Sequence, residues 1–354
     1  MSLPIPTEIG GLDADWFRAA LRLDHPELEV TDVHIVRVIE GTCTKIRVAL
    51  DYAAGSAAGP ATMMLKGGFA AHSPMFLGMH ETEMLYYRDI APRAGFDTPL
   101  CWFAGLDAAN GRSAVLLEDM DARGVRWLGA LSPLDWRDEV AFVDTLAAFA
   151  ARWWESPDLA EGGRLAWVIH SYEREAADYI DHYLEPERWA QFMRLPRCVC
   201  LPRSLRDREQ MQAALAALAK RLDTQPTTLS HGDTHLGNLY LNPDGTPGFL
   251  DAQPRRAPWV KDFAYQMVAA LDIEDRRSWE KPLLARYLRK LAEAGVAAVP
   301  SFEEAWYDYR CEIAYGLFIF MINEGHFQRE ETNTAFAARF GAAAIDHGTF
   351  ALLR

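Results

Sequence analysis

Hydrophobic periodicity changes once along this chain, and the place where it changes limits the folds open to it. Before about residue 120 apolar and polar side chains alternate with the period of a strand. Val30–Ile39 does so, and Thr44–Tyr52 repeats the pattern after Gly41. A small-residue connection, AAGSAAGPA, then leads into a third strand over residues 62–66, Thr-Met-Met-Leu-Lys. Residues 81–91 read as a helix closed by Pro92, and 114–117 as a short apolar strand running into Glu118-Asp119-Met120. From Ser132 the period becomes helical. Ser132-Pro133 has the chemistry of an N-cap and first helical position, and Val140, Val143, Leu146, Phe149 and Trp153 follow at helical spacing. Met211, Leu215, Leu218 and Leu222 mark another amphipathic helix, and further helices fit residues 263–271, 279–294 and 302–323. The last opens on Ser301-Phe-Glu-Glu304, a capping box. A small sheet with one helix, a short apolar connector and a large helical part is the order that results.

One hairpin interrupts the helical part. Residues 229–253 read LSHGDTHLGNLYLNPDGTPGFLDAQ, with Asn242-Pro-Asp-Gly245 as the turn. Polar residues crowd both ends of this hairpin: His231, Asp233, His235 and Asn238 on one side, Asp251 on the other. A metal site, a general base and a hydrogen-bonded turn are each compatible with that crowding.

Spacing narrows the choice. A protein-kinase catalytic loop carries a histidine two residues before its catalytic aspartate and an asparagine five residues after it. His231, Asp233 and Asn238 reproduce both intervals, with Gly232 where arginine is usual. Such chemistry also needs a lysine on the third strand and a helical glutamate to position it. Lys66 ends the third strand and Glu83 follows in the next helix, while Gly41-Thr42-Cys43-Thr44 lies where a phosphate-covering loop belongs. Glu81 projects about 200° away from Glu83 on a helix, so Glu83 is the expected partner.

HGDTHLGN resembles the signature of the aminoglycoside phosphotransferase and choline kinase-like superfamily. The likeness extends to EMLYYRDIAP, LLEDM, LDAQ and Lys261-Asp262-Phe263-Ala264, and spans roughly residues 30–270. The chain length and LDAQ look closer to the ecdysteroid-kinase-like and choline kinase-like branches than to compact antibiotic kinases. The resemblance implies an α+β, bilobal protein-kinase-like fold. A small N-terminal sheet lobe with one helix (residues 1–120) would bind nucleotide, and a larger, mainly helical lobe (121–354) would carry catalysis and acceptor binding. It implies ATP or GTP with Mg²⁺, and a small organic acceptor offering a hydroxyl. Lys66 would contact the α- and β-phosphates and Glu83 would hold it. Gly41, Thr42 and Thr44 would approach the phosphates, and Glu118 with the backbone at Met120 would meet the base. Asp233 would be the catalytic base, Asn238 and Asp251 the Mg²⁺ ligands, and Asp262 a brace for the catalytic loop. The loop after Gly41 departs from the pattern in having one glycine, and the metal segment in reading Asp251-Ala-Gln253. Ten residues between Asp251 and Asp262 leave little room for a protein-substrate groove, so a small acceptor is favoured.

Composition removes several alternatives. A formal charge of −14 on 354 residues opposes general nucleic-acid binding. Five scattered cysteines form no disulfide or zinc pattern and fit a reducing, cytoplasmic setting. The longest apolar run, near residues 313–322, is about half of a bilayer span. Two other functions are compatible with parts of the sequence. One is a nucleotide-binding pseudokinase, which the intact Lys66, Glu83, Asp233, Asn238 and Asp251 set opposes. The other is a metal-dependent hydrolase on His231, Asp233, His235 and Asp251, which leaves Lys66 and Glu83 without roles. Oligomeric state and acceptor identity are open at this level.

Overall fold

The computed structural model describes residues 3–171 and 174–354 and divides into two compact units, Met1–Arg126 and Trp127–Arg354. The first unit opens with α1 (Ala14–Leu21), whose N-cap Asp13 accepts the Trp16 N–H at 2.9 Å. Five antiparallel strands follow: β1 (Val30–Ile39), β2 (Thr44–Tyr52), β3 (Thr62–Gly67), β4 (Cys101–Asp107) and β5 (Arg112–Glu118). Their order across the sheet is β1-β2-β3-β5-β4. In β2 and β3 alternation does what the sequence predicts: Ile46, Val48, Met63 and Leu65, with Leu116 of β5, bury against Phe17 and Leu21 of α1. In β1 it does not, because that edge strand buries only Val30 and leaves Ile35, Val36 and Val38 exposed. Lys66, next after Leu65, therefore emerges on the opposite face.

Between β3 and β4 lies α2 (Leu77–Leu85), which departs from the helix expected over 81–91. It begins four residues earlier, continues as a π turn over Tyr86–Ile90 and closes as a 3-10 turn at Ala91–Arg93. The π turn carries Tyr86, Tyr87 and Ile90 into the interior. Strand β4 is invisible to periodicity because only Phe103 and Asp107 of its seven residues are buried. A short α3 (Met120–Arg123) ends the unit, capped by the Asp119 carboxylate at Asp121 N–H.

The second unit is built on helices. After β6 (Arg126–Trp127) come α4 (Trp136–Trp153), α5 (Arg174–Tyr183), α6 (Pro186–Phe192), α7 (Pro196–Val199) and α8 (Arg208–Leu222). Four short strands follow, β7 (Thr227–Ser230), β8 (Leu239–Leu241), β9 (Pro247–Phe249) and β10 (Arg255–Pro258). The chain finishes with α9 (Val260–Ala270), α10 (Ile273–Glu293), α11 (Phe302–Ile322), α12 (Glu330–His347) and α13 (Thr349–Leu352). The expected hairpin is β8 against β9, with Tyr240 opposite Gly248. Every residue of α9 is buried, so it forms the axis of the unit.

Two helix starts differ from expectation for one reason. A nearby aspartate captures the cap: Asp135 takes the Asp138 N–H and starts α4 four residues beyond Ser132, whose hydroxyl instead accepts the Gly129 N–H in a turn. Asp272 takes the Glu274 N–H and starts α10 well before Ser278. The capping box at Ser301 and Glu304 forms as predicted. Helix α12 has no periodic signal because its contact face is made of small residues and two phenylalanines. Phe340 packs so close to Gly316 of α11 that a Cβ there would stand 2.0 Å from its ring. No helix among the described residues is long and apolar enough to cross a membrane.

Candidate active site

In the first unit, β3 delivers Lys66 and α2 delivers Glu83, and the two side chains form an ion pair. Both are buried, at 5% and 7% exposure, so each neutralises a charge the other would leave stranded. Glu81 is only half-buried and takes no part in the pair. A small cavity beside the pair is lined by Cys43, Lys66, Gly67, His80, Glu83 and Ser113.

Gly41 and Thr42 occupy the loop between β1 and β2, and Thr44 is the first residue of β2. Two histidines that periodicity does not single out hold this loop: His72 Nε2 lies 2.7 Å from the Gly41 carbonyl oxygen, and His80 Nε2 lies 2.9 Å from that of Thr42. The Thr44 hydroxyl is buried with no hydrogen-bond partner among the described residues. At the end of β5, Glu118 accepts from Arg123 and from the Leu100 N–H, while Met120 is buried. Asp119 binds the Arg47 guanidinium through both Nε (2.8 Å) and Nη2 (2.7 Å).

In the second unit, β7 leads into His231 and a sharply turned loop. Asp262, in the first turn of α9, accepts the N–H of His231 at 2.6 Å and of Gly232 at 2.9 Å. This is the bracing geometry expected of it. Burial still pushes its carboxyl up to about 6, against the pull of those two backbone donors. Gly232 is required twice over: its φ is +85°, and a Cβ would fall 1.9 Å from the Gln253 carbonyl oxygen. The Gln253 N–H returns a hydrogen bond to the His231 carbonyl at 2.9 Å, tying the His231–Asp233 segment to the Asp251–Gln253 segment. The His231 ring is buried against Phe249, and burial drives its pKa down to about 3, so it is a neutral packing group.

Asp233 follows with its side chain still 30% exposed. Asn238 donates its amide to the Asp233 backbone carbonyl (2.9 Å) and to Oδ2 (2.8 Å), which fixes the carboxylate and leaves the Asn238 Oδ1 available as a ligand. Burial raises the Asp233 pKa, opposed by His235, Asn238 and the Tyr265 hydroxyl. Tyr265, on α9, is a neighbour of Asp233 that no sequence pattern marks. Asp251 adopts φ +56°, a left-handed conformation that aspartate tolerates better than most side chains.

His235 is fully engaged. Its Nδ1 accepts the Gly237 N–H at 2.9 Å, which puts the proton on Nε2. That nitrogen lies 2.8 Å from the Gln328 side-chain carboxamide, whose otherwise unpaired oxygen accepts from it once the amide is turned over, and 3.5 Å from Asp233 Oδ2. Asp308, a polar residue on a helix that could have lined an acceptor pocket, is buried and bonded to Arg221 and Gln225.

A fold of this kind, with these loops, defines a kinase-like phosphotransferase, and the comparisons with known proteins agree. A model described as the phosphotransferase enzyme family matches residues 100–299, more than half of the chain. The chain belongs to that family. No curated protein sequence matches it. Among solved structures, an ethanolamine kinase of Plasmodium vivax superposes with a TM-score of 0.52 at 11% identity, covering 92% of this chain and 83% of that one. A choline kinase of Streptococcus pneumoniae gives 0.51 at 11% identity, covering 90% and 94%. A GDP complex of a mutant aminoglycoside 2'-phosphotransferase gives 0.50 at 12% identity, covering 94% and 98%. The protein-kinase-like fold expected from the sequence is the fold found.

Proposed function

We propose that the protein transfers the γ-phosphoryl group of a nucleoside triphosphate, ATP or GTP, to a hydroxyl of a small organic acceptor. The observation that carries this reading is the state of Asp233. Its carboxylate is oriented by the Asn238 amide, stands on a loop fixed by Asp262, and keeps one side open. A carboxylate so held, with its pKa raised by burial, suits the acceptance of a proton from an alcohol as the oxygen attacks phosphorus.

Lys66, directed by its ion pair with Glu83, supplies a cation for the nucleotide phosphates. Asn238 Oδ1 and the Asp251 carboxylate are oxygen donors of the type Mg²⁺ selects, and would hold it. When bound, Mg²⁺ supplies neutralisation of charge on the phosphate oxygens. The Tyr265 hydroxyl donates to the Asp233 carboxylate and helps to hold it for the acceptor. The hydrolase alternative gains no support, because a metal on His235 would have to displace both the Gly237 N–H and the Gln328 amide.

The test is Asp233→Asn in a screen of pooled metabolites and antibiotics with Mg²⁺ and ATP or GTP, scored by the mass gain of a phosphoryl group. The substitution is expected to slow product formation about 10²–10⁴-fold while nucleotide affinity stays near that of the wild type. Turnover equal to the wild type in the variant would remove Asp233 from the chemistry.

A further inference from the structure

The loop between β1 and β2 has one glycine, and Gly41 is not in a left-handed conformation. A flexible, glycine-rich cover is therefore not what this chain uses. Instead, two consecutive carbonyl groups of the loop are taken up by side chains: Gly41 by His72 at 2.7 Å and Thr42 by His80 at 2.9 Å. A carbonyl only accepts, so each imidazole donates from Nε2–H. Burial and the charge of Lys66 lower the His80 pKa, which leaves the ring neutral with its proton on that nitrogen.

Two consequences follow from elementary geometry. In a trans peptide the C=O and the next N–H point in opposite directions. Drawing the Gly41 and Thr42 carbonyls toward the histidines therefore turns the Thr42 and Cys43 N–H groups the other way, as a pair of adjacent donors. Two adjacent backbone N–H groups facing one side supply two donors to the oxygens of one anion. Also, His80 lies three residues before Glu83 on α2, on the same helical face. One face of one helix thus holds both the loop and Lys66.

We propose that His72 and His80 are positioning residues for nucleotide phosphate. They hold the β1–β2 loop in a preformed shape that presents the Thr42 and Cys43 N–H groups to phosphate oxygens, in place of the mobility of a glycine-rich loop. This rests on the nucleotide-phosphotransferase reading above, so its test carries one readout that needs no nucleotide.

The experiment compares wild type with His72→Leu, His80→Leu and His80→Gln in the full chain. Gln is included because its amide N–H can still donate to the Thr42 carbonyl. Amide hydrogen exchange over residues 40–45 is measured without nucleotide, and the affinities for Mg-ATP and for adenosine are measured by calorimetry. The leucine variants are expected to exchange about tenfold faster in the loop and to lose about tenfold in Mg-ATP affinity. Adenosine affinity should be unchanged, and His80→Gln should recover most of both losses. Loop exchange at the wild-type rate in both leucine variants overturns the proposal, as does an equal loss of ATP and adenosine affinity. If the wild type binds no nucleotide, faster loop exchange in the leucine variants still supports the clamp, and the functional reading alone fails. His72 is only half-buried, so its variant keeps the test decisive if His80→Leu does not fold.

Discussion

A single methyl group added at residue 232 would sit 1.9 Å from the Gln253 carbonyl oxygen on a backbone already at φ +85°. Nothing in that contact can yield cheaply, because the atom opposed is main chain. Gly232→Ala is therefore expected to destabilise the second unit by about 3 kcal/mol, read as a drop in the thermal midpoint, and to displace Asp233 with it. Asp262 acts by a different route, through the two backbone donors it satisfies. Asp262→Ala strands both, at about 1–3 kcal/mol each. Chemical unfolding should show that loss, and an unchanged midpoint would mean that water replaces the carboxylate. The sequence marks these residues by spacing and resemblance; it does not show why position 232 departs from the kinase arginine. The reason is a close approach between segments about twenty residues apart, which exists only after folding.

Elements are tied together by a few buried polar pairs, and two of these make measurable predictions. Lys66 on β3 and Glu83 on α2 are mutually dependent inside the first unit. Glu83→Ala leaves a buried ammonium without its partner and should cost that unit about 3–5 kcal/mol, seen as a lower melting temperature. Glu139 on α4 is fully buried and receives the Gln266 amide of α9 at 3.3 Å. Burial pushes its carboxyl up to about 8, only partly offset by that amide. The remaining Glu139 and Gln266 oxygens both lack a donor, which a protonated carboxyl provides. The folded state therefore holds a proton that the unfolded chain releases near pH 4.3, the ordinary glutamate value of about 4.3. The resulting stability is complete below that pH and is lost as pH rises through about 8, at up to about 1.4 kcal/mol per unit. Unfolding titrations of Glu139→Gln should be flatter across that window than those of the wild type. Helix amphipathicity predicts α8 well, because it has a clear wet face, whereas α11 is marked by its capping box and apolar length, being exposed only in its first turn. Amphipathicity places the starts of α4 and α10 wrongly because cap choice depends on which aspartate reaches an N–H.

Over the whole molecule, the functional reading predicts linkage between nucleotide and stability. A ligand at a hundred times its dissociation constant adds about 2.7 kcal/mol to the folded state. Mg-ATP at that level should raise the melting temperature of the wild type, and Lys66→Met should reduce the shift at equal concentration. No shift with either ATP or GTP would count against the nucleotide assignment.

What the sequence by itself determined is the architecture and the order of the chemical groups. Period-two alternation before residue 120 and helical period after it define the two-part fold, and local spacing through residues 231–251 determines which polar side chains share one hairpin. These are properties of neighbouring residues, so they are written in the chain. Only the tertiary structure decided which residues hold the β1–β2 loop and what surrounds Asp233. His72 and His80 reach a loop thirty to forty residues upstream, and Tyr265 and Gln328 reach the loop carrying Asp233 and His235 from α9 and from the segment between α11 and α12. Such contacts are set by how packed elements meet, and no periodicity in the chain records them.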